Sequence, residues 1–68
     1  MIMIYEVGYN CGDGIYSVNL LEGEENLCRA EAEHHASRFG YSIAYFKQTT
    51  TAEADYNRAK GMPWKKVC

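Results

Sequence analysis

At 68 residues and 7.7 kDa the chain has room for a single domain spanning 1–68. A composition of 47% hydrophobic and 24% charged residues excludes a disordered tail, and no apolar run approaches the roughly 20 residues of a membrane helix. The formal net charge of -2 argues against general affinity for nucleic acid and is too small to imitate a phosphate ladder.

Met1 to Tyr9 reads as a strand, with Met3, Tyr5, Val7 and Tyr9 alternating against Ile2, Ile4, Glu6 and Gly8. The opening Met1–Glu6 has neither a basic region nor a small-residue cleavage site, so no signal peptide is expected. Asn10-Cys11-Gly12-Asp13-Gly14 is turn chemistry, because glycine, asparagine and aspartate tolerate positive φ. Ile15 to about Leu21 forms a second strand, which closes an antiparallel hairpin. Gly23-Glu24-Glu25 then opens a helix with two carboxylates at the positive end of its dipole. Cys28, Ala32, His35, Ala36 and Phe39 fall on one stripe of that helix, and Gly40 ends it. The stripe is mostly small, so the helix is expected to lie close against a sheet.

Tyr41 to Gln48 is a third strand, returning either parallel to the second or along the hairpin's other edge. Thr50 and Glu53 match a capping box for a short second helix carrying Ala52, Tyr56 and Ala59. Gly61 and Pro63 stop it, and Trp64 to Cys68 is an extended or loose tail. The expected architecture is α+β, of order β-β-α-β-α: a three-stranded, mainly antiparallel sheet with one main helix packed on one face.

The charge is unevenly spread. Residues 1–57 hold all nine acids and three bases, whereas 58–68 hold Arg58, Lys60, Lys65 and Lys66 and no acid. A basic terminus on an acidic body suits docking to an anion or to an acidic protein surface. Three cysteines, Cys11, Cys28 and Cys68, are an odd number without paired spacing, so neither a disulfide nor a structural metal is expected. His34 and His35 are adjacent and point about 100° apart on a helix, which suits no shared metal. The carboxylates of Glu24, Glu25, Glu31 and Glu33 sit on a helix start and an exposed face, without the pocket that acid–base catalysis requires. Gly12-Asp13-Gly14 precedes a strand, whereas phosphate-binding glycines open a helix. No enzymatic activity and no cofactor are expected.

Six tyrosines, two phenylalanines and Trp64 make up 13% of the chain. A small core cannot satisfy so many hydroxyls, so several tyrosines are expected at the surface, where tyrosine and tryptophan dominate interface energetics. The candidate partner-binding set is Tyr9, Asp13, Tyr16, Tyr56, Arg58, Lys60, Trp64 and Lys65. If Tyr5, Val7, Tyr16, Val18 and Leu20 face the helix, then Ile2, Ile4, Ile15 and Leu21 face away. That second face predicts a homodimer or larger oligomer, unless the second helix and Trp64 cover it.

The β-β-α-β plan, the Gly40-Tyr41 step into the third strand and the ending Thr50-Thr51-Ala52-Glu53-Ala54-Asp55…Arg58-Ala59-Lys60-Gly61-Met62-Pro63 resemble short orphan proteins of bacteriophages and integrated mobile elements. The resemblance implies a protein acting in the host bacterium's cytoplasm against a defence complex, as anti-CRISPR proteins do by binding a Cas effector. It carries over no site residue. A second implied reading is an oligomeric sponge that binds a small signalling nucleotide. A third is a phage regulatory or structural accessory protein.

Overall fold

The computed structural model describes residues 2–67, so Met1 and Cys68, the latter among the cysteines considered above, lie outside the description. The chain runs β1 (Met3–Gly12), β2 (Ile15–Gly23), α1 (Glu25–Phe39), β3 (Ser42–Thr49), α2 (Thr51–Ala59) and β4 (Trp64–Lys66). The sheet is mixed and four-stranded, in the order β3-β1-β2-β4. β1 is antiparallel to both neighbours, whereas β4 joins β2 in parallel. The fold is therefore α+β, with one strand more than expected: the tail forms β4, held by Leu20 N–H to Pro63 C=O and Val67 N–H to Glu22 C=O, both 2.7 Å. Pro63 has no N–H to continue the preceding helical turn, and its carbonyl is taken by Leu20 at the start of β4.

The hairpin is tighter than the glycine cluster suggests. Asp13 (φ 53°) and Gly14 (φ 75°) are its two central residues, both in the left-handed region that a type I′ turn demands. The register shifts between Asn10 and Gly12, where Asn10 Oδ1 accepts the Gly12 N–H at 2.9 Å. This turn sets Tyr5 opposite Leu21, Glu6 opposite Leu20 and Gly8 opposite Val18. Paired residues share a face, so the expected grouping is corrected in β2. Leu21, not Leu20, joins Tyr5, Val7 and Tyr9 against α1, where Cys28, Ala32 and Ala36 complete the core. Leu21 is fully buried within one chain and is not an oligomer-interface residue.

Leu20 is also fully buried, but on the opposite face, with α2 and Trp64 on its side of the sheet. The adjacent leucines are thus explained by a central strand covered on both faces, each contributing about 1.5–3 kcal/mol of burial. Ile4 is half-buried on the α2 face, while Ile2 and Ile15 lie exposed at opposite ends of the hairpin. The proposed patch of Ile2, Ile4, Ile15 and Leu21 is therefore not contiguous.

α1 ends as anticipated at Gly40 (φ 72°), whose N–H reaches the carbonyls of Ala36 and Ser37. At the start of α2, Thr50 Oγ1 accepts the Glu53 N–H at 3.1 Å. The reciprocal half of the capping box is replaced, because Glu53 Oε2 accepts the buried Thr49 hydroxyl at 3.0 Å.

Candidate functional site

α2 covers its face of the sheet incompletely. Nine helical residues span about 13 Å, whereas the ten residues of β1 extend roughly 33 Å. Ala54 is buried and Asn57 Nδ2 donates to Glu6 Oε1 at 3.5 Å, which anchors the helix over one half of the sheet. Beyond Glu6 the face is open, and its floor is aromatic.

Gly8 is the reason for that floor. A Cβ at this position would meet the Tyr45 ring at 2.0 Å, so only glycine lets the tyrosine lie flat across β1. The Tyr45 hydroxyl donates to Glu6 Oε2 at 2.5 Å. Burial, the hydrogen bond to Glu6 and the Glu6 charge together push the Tyr45 phenol up to about 12. The Glu6 side chain is 12% exposed and also has Lys47 Nζ at 4.0 Å, while that ammonium lies 5.6 Å from the Tyr45 ring. Tyr45 is thereby fixed from below by Gly8 and at its tip by Glu6.

Val18 pairs with Gly8 and Tyr16 with Asn10, so both continue the same face toward the hairpin tip. Tyr16 is 65% exposed and Tyr45 38% exposed. Between Val18 and the end of α2 lies an open depression of about 360 Å³, lined by Asn57, Lys60, Met62 and Pro63. Two cation–π pairs flank the helix. Lys60 Nζ lies 4.4 Å from the Tyr56 ring, and the Arg58 guanidinium 5.2 Å from the Trp64 ring. Tyr56 and Lys60 are two and six residues beyond the buried Ala54, which turns them to the outer side of the helix. Trp64 Nε1 donates to Glu22 Oε1 at 3.1 Å and is held there.

The candidate residues thus divide. Tyr16 belongs to the open face, and Lys60 lines the depression at its helical border; Tyr56 points to the outer side of α2, while Trp64, held to Glu22 opposite Ile4, and Arg58 beside it lie toward the covered half. Tyr9 is not on this face: it is fully buried, its hydroxyl donates to Asn19 Oδ1 at 3.2 Å, and its ring lies 4.7 Å from His35. Odd positions of β1 point at α1, and that excludes Tyr9 from any partner. Asp13 serves the turn. Lys65 lies on the α1 side, with Nζ 2.6 Å from Glu31 Oε2. The residues that complete the face, Glu6, Tyr45, Val18 and Asn57, were not singled out from the sequence. The available signal was a glycine in mid-strand, a common mark of close approach by another group.

On the α1 side His35 packs 4.8 Å from Phe39, and Phe39, half exposed, stacks on Tyr41 at 5.6 Å. Burial and the Glu24 charge push the Cys28 thiol up, as befits a core residue. Among the described residues Cys11 and Cys28 are free thiols, and no three His, Cys, Asp or Glu side chains converge. No helix among them is long and apolar enough to cross a membrane. Comparison with protein-family models, with curated proteins and with solved structures finds no match to this chain.

Proposed function

We propose that this chain is a non-enzymatic binding protein, of the phage or mobile-element kind, that blocks a bacterial defence complex by steric occlusion. The observation that carries this reading is the uncovered half of the α2 face, where Tyr16, Val18 and Tyr45 form a continuous apolar floor. Tyr45 is immobilised before any partner arrives, so docking loses little side-chain entropy there. Lys47 beside Tyr45 and Lys60 on the depression next to Val18 stand at the margin of the floor and favour a partner surface with acidic groups there. A preformed aromatic centre with a charged border is the usual arrangement of a protein-binding hot spot.

The test is direct binding to a panel of purified CRISPR effector complexes, with Tyr16→Ala as the paired variant. Tyr16 is largely exposed, so the variant should fold as the parent does. Loss of a central aromatic contact of about 2 kcal/mol would weaken binding more than tenfold. Equal affinity of parent and variant for a captured effector would move the site off this face. Binding of single-stranded nucleic acid in place of every effector would replace the reading with base stacking.

A further inference from the structure

The opposite face of the sheet carries a second feature, independent of the docking surface. Glu31, His34, His35 and Arg38 recur at i, i+3, i+4 and i+7 on α1, roughly 110° round the helix from the buried stripe of Cys28, Ala32 and Ala36. This second stripe overhangs the edge formed by β2 and β4. Asn19 and Lys65 lie beneath it, and the groove that they line has a volume of about 240 Å³.

The groove exists because β2 places a polar residue where the core would take an apolar one. Asn19 sits opposite Val7, two residues before Leu21, on the α1 side. Its Oδ1 accepts the Tyr9 hydroxyl, which leaves the amide NH2 as a donor. Lys65 is tied to Glu31 at 2.6 Å. Arg38 has no ion pair among the described residues; its guanidinium lies 5.7 Å from the Phe39 ring. The groove therefore gathers a guanidinium fork, an amide, an imidazole and an ammonium, against one carboxylate that is already engaged.

We propose that this groove binds a phosphate monoester, with Arg38 as the principal ligand to the phosphoryl oxygens and His34 and Asn19 as further donors. The planar fork of arginine matches two phosphate oxygens at once, and a phosphomonoester has acceptors for the other donors. The groove is smaller than the roughly 300–1,000 Å³ of drug-sized pockets, so the fit is to a compound about as large as a sugar phosphate. Glu31 opposes the ligand's charge while it restrains Lys65.

That carboxylate makes the proposal testable by sign. The probes are inorganic phosphate and ribose 5-phosphate, titrated into isotope-labelled protein at fixed ionic strength and followed by NMR. Saturable shifts are expected at Asn19, His34, Arg38 and Lys65, stronger for the sugar phosphate. Arg38→Ala should weaken binding about tenfold or more, since it removes a charge-assisted bidentate contact. Glu31→Gln should tighten it about threefold to tenfold, by removing a like charge and releasing Lys65. Shifts spread equally over Lys47, Arg58 and Lys60 would reduce the effect to general screening and overturn the proposal. Unchanged affinity in Arg38→Ala would overturn it as well, and so would weaker phosphate binding in Glu31→Gln, because removing a like charge should not loosen an anion held by these donors.

Discussion

Replacing Gly8 by alanine drives a methyl group into the space now held by the Tyr45 ring, at 2.0 Å from one ring carbon and 2.5 Å from the next. The strand cannot retreat, because β1 is paired on both sides. The tyrosine must swing away, losing its bed on Gly8 and its hydrogen bond to Glu6. Overpacking of this kind costs about 1–3 kcal/mol, and the lost bond to a carboxylate adds toward the lower end of about 1.5–3 kcal/mol because the pair is partly solvated. Together they give a destabilisation of about 2.5–4.5 kcal/mol, each kcal/mol lowering Tm by roughly 4–8 °C in a domain of this size. Gly8 is not among the glycines with positive φ, so alanine itself fits the backbone. In a Tyr45→Ala background the same substitution should therefore be neutral, or stabilising by about 0.4–1 kcal/mol through the unfolded chain. Urea denaturation of the four proteins gives the coupling directly. Equal effects of Gly8→Ala in both backgrounds would refute the stacking of Tyr45 on Gly8.

Alkaline pH should unfold the protein early. Tyr45 titrates at about 12 when folded, against about 10 when unfolded, so its proton is held more tightly in the native state. Its stabilisation is complete below about pH 10 and drains as pH rises toward 12; Tyr5 and Tyr9, raised chiefly by burial, act in the same direction. A Tm that stays flat through this range would contradict the assignment. Leu21→Ala should cost about 2–5 kcal/mol in urea melts, since the side chain is fully buried between sheet and α1; a small loss with dissociation of a dimer would restore Leu21 to an interface. Thr50→Ala should cost about 1 kcal/mol and fray α2, seen as faster amide exchange at Glu53; unaltered exchange would remove the cap from the account.

The elements were legible because local chemistry specifies them: the positive-φ pair Asp13-Gly14, the small stripe Cys28, Ala32 and Ala36, and the stops at Gly40 and Gly61. The pairing of faces was not. Two adjacent leucines fit either phase of β2, and only the turn geometry, which places the bulge between Asn10 and Gly12, decides that Leu21 meets α1. β4 is not legible in the sequence because three residues carry no periodicity, and their pairing with β2 is non-local. The open face was half visible. Tyr16 stood out as an aromatic, but Tyr45 and Glu6 become a site only through the β1–β3 register, which brings residues 39 positions apart into a hydrogen bond.

The central claim, that the tyrosine face is the working surface, is tested most directly by phage plating on a bacterium with active CRISPR immunity that expresses the protein. Wild-type expression should restore plaque formation, while Tyr16→Glu combined with Lys60→Glu, both at exposed positions, should abolish it with melting temperature and expression unchanged. Full restoration by that double variant would contradict the claim, and so would the absence of any restoration by the wild type across the immune systems tested.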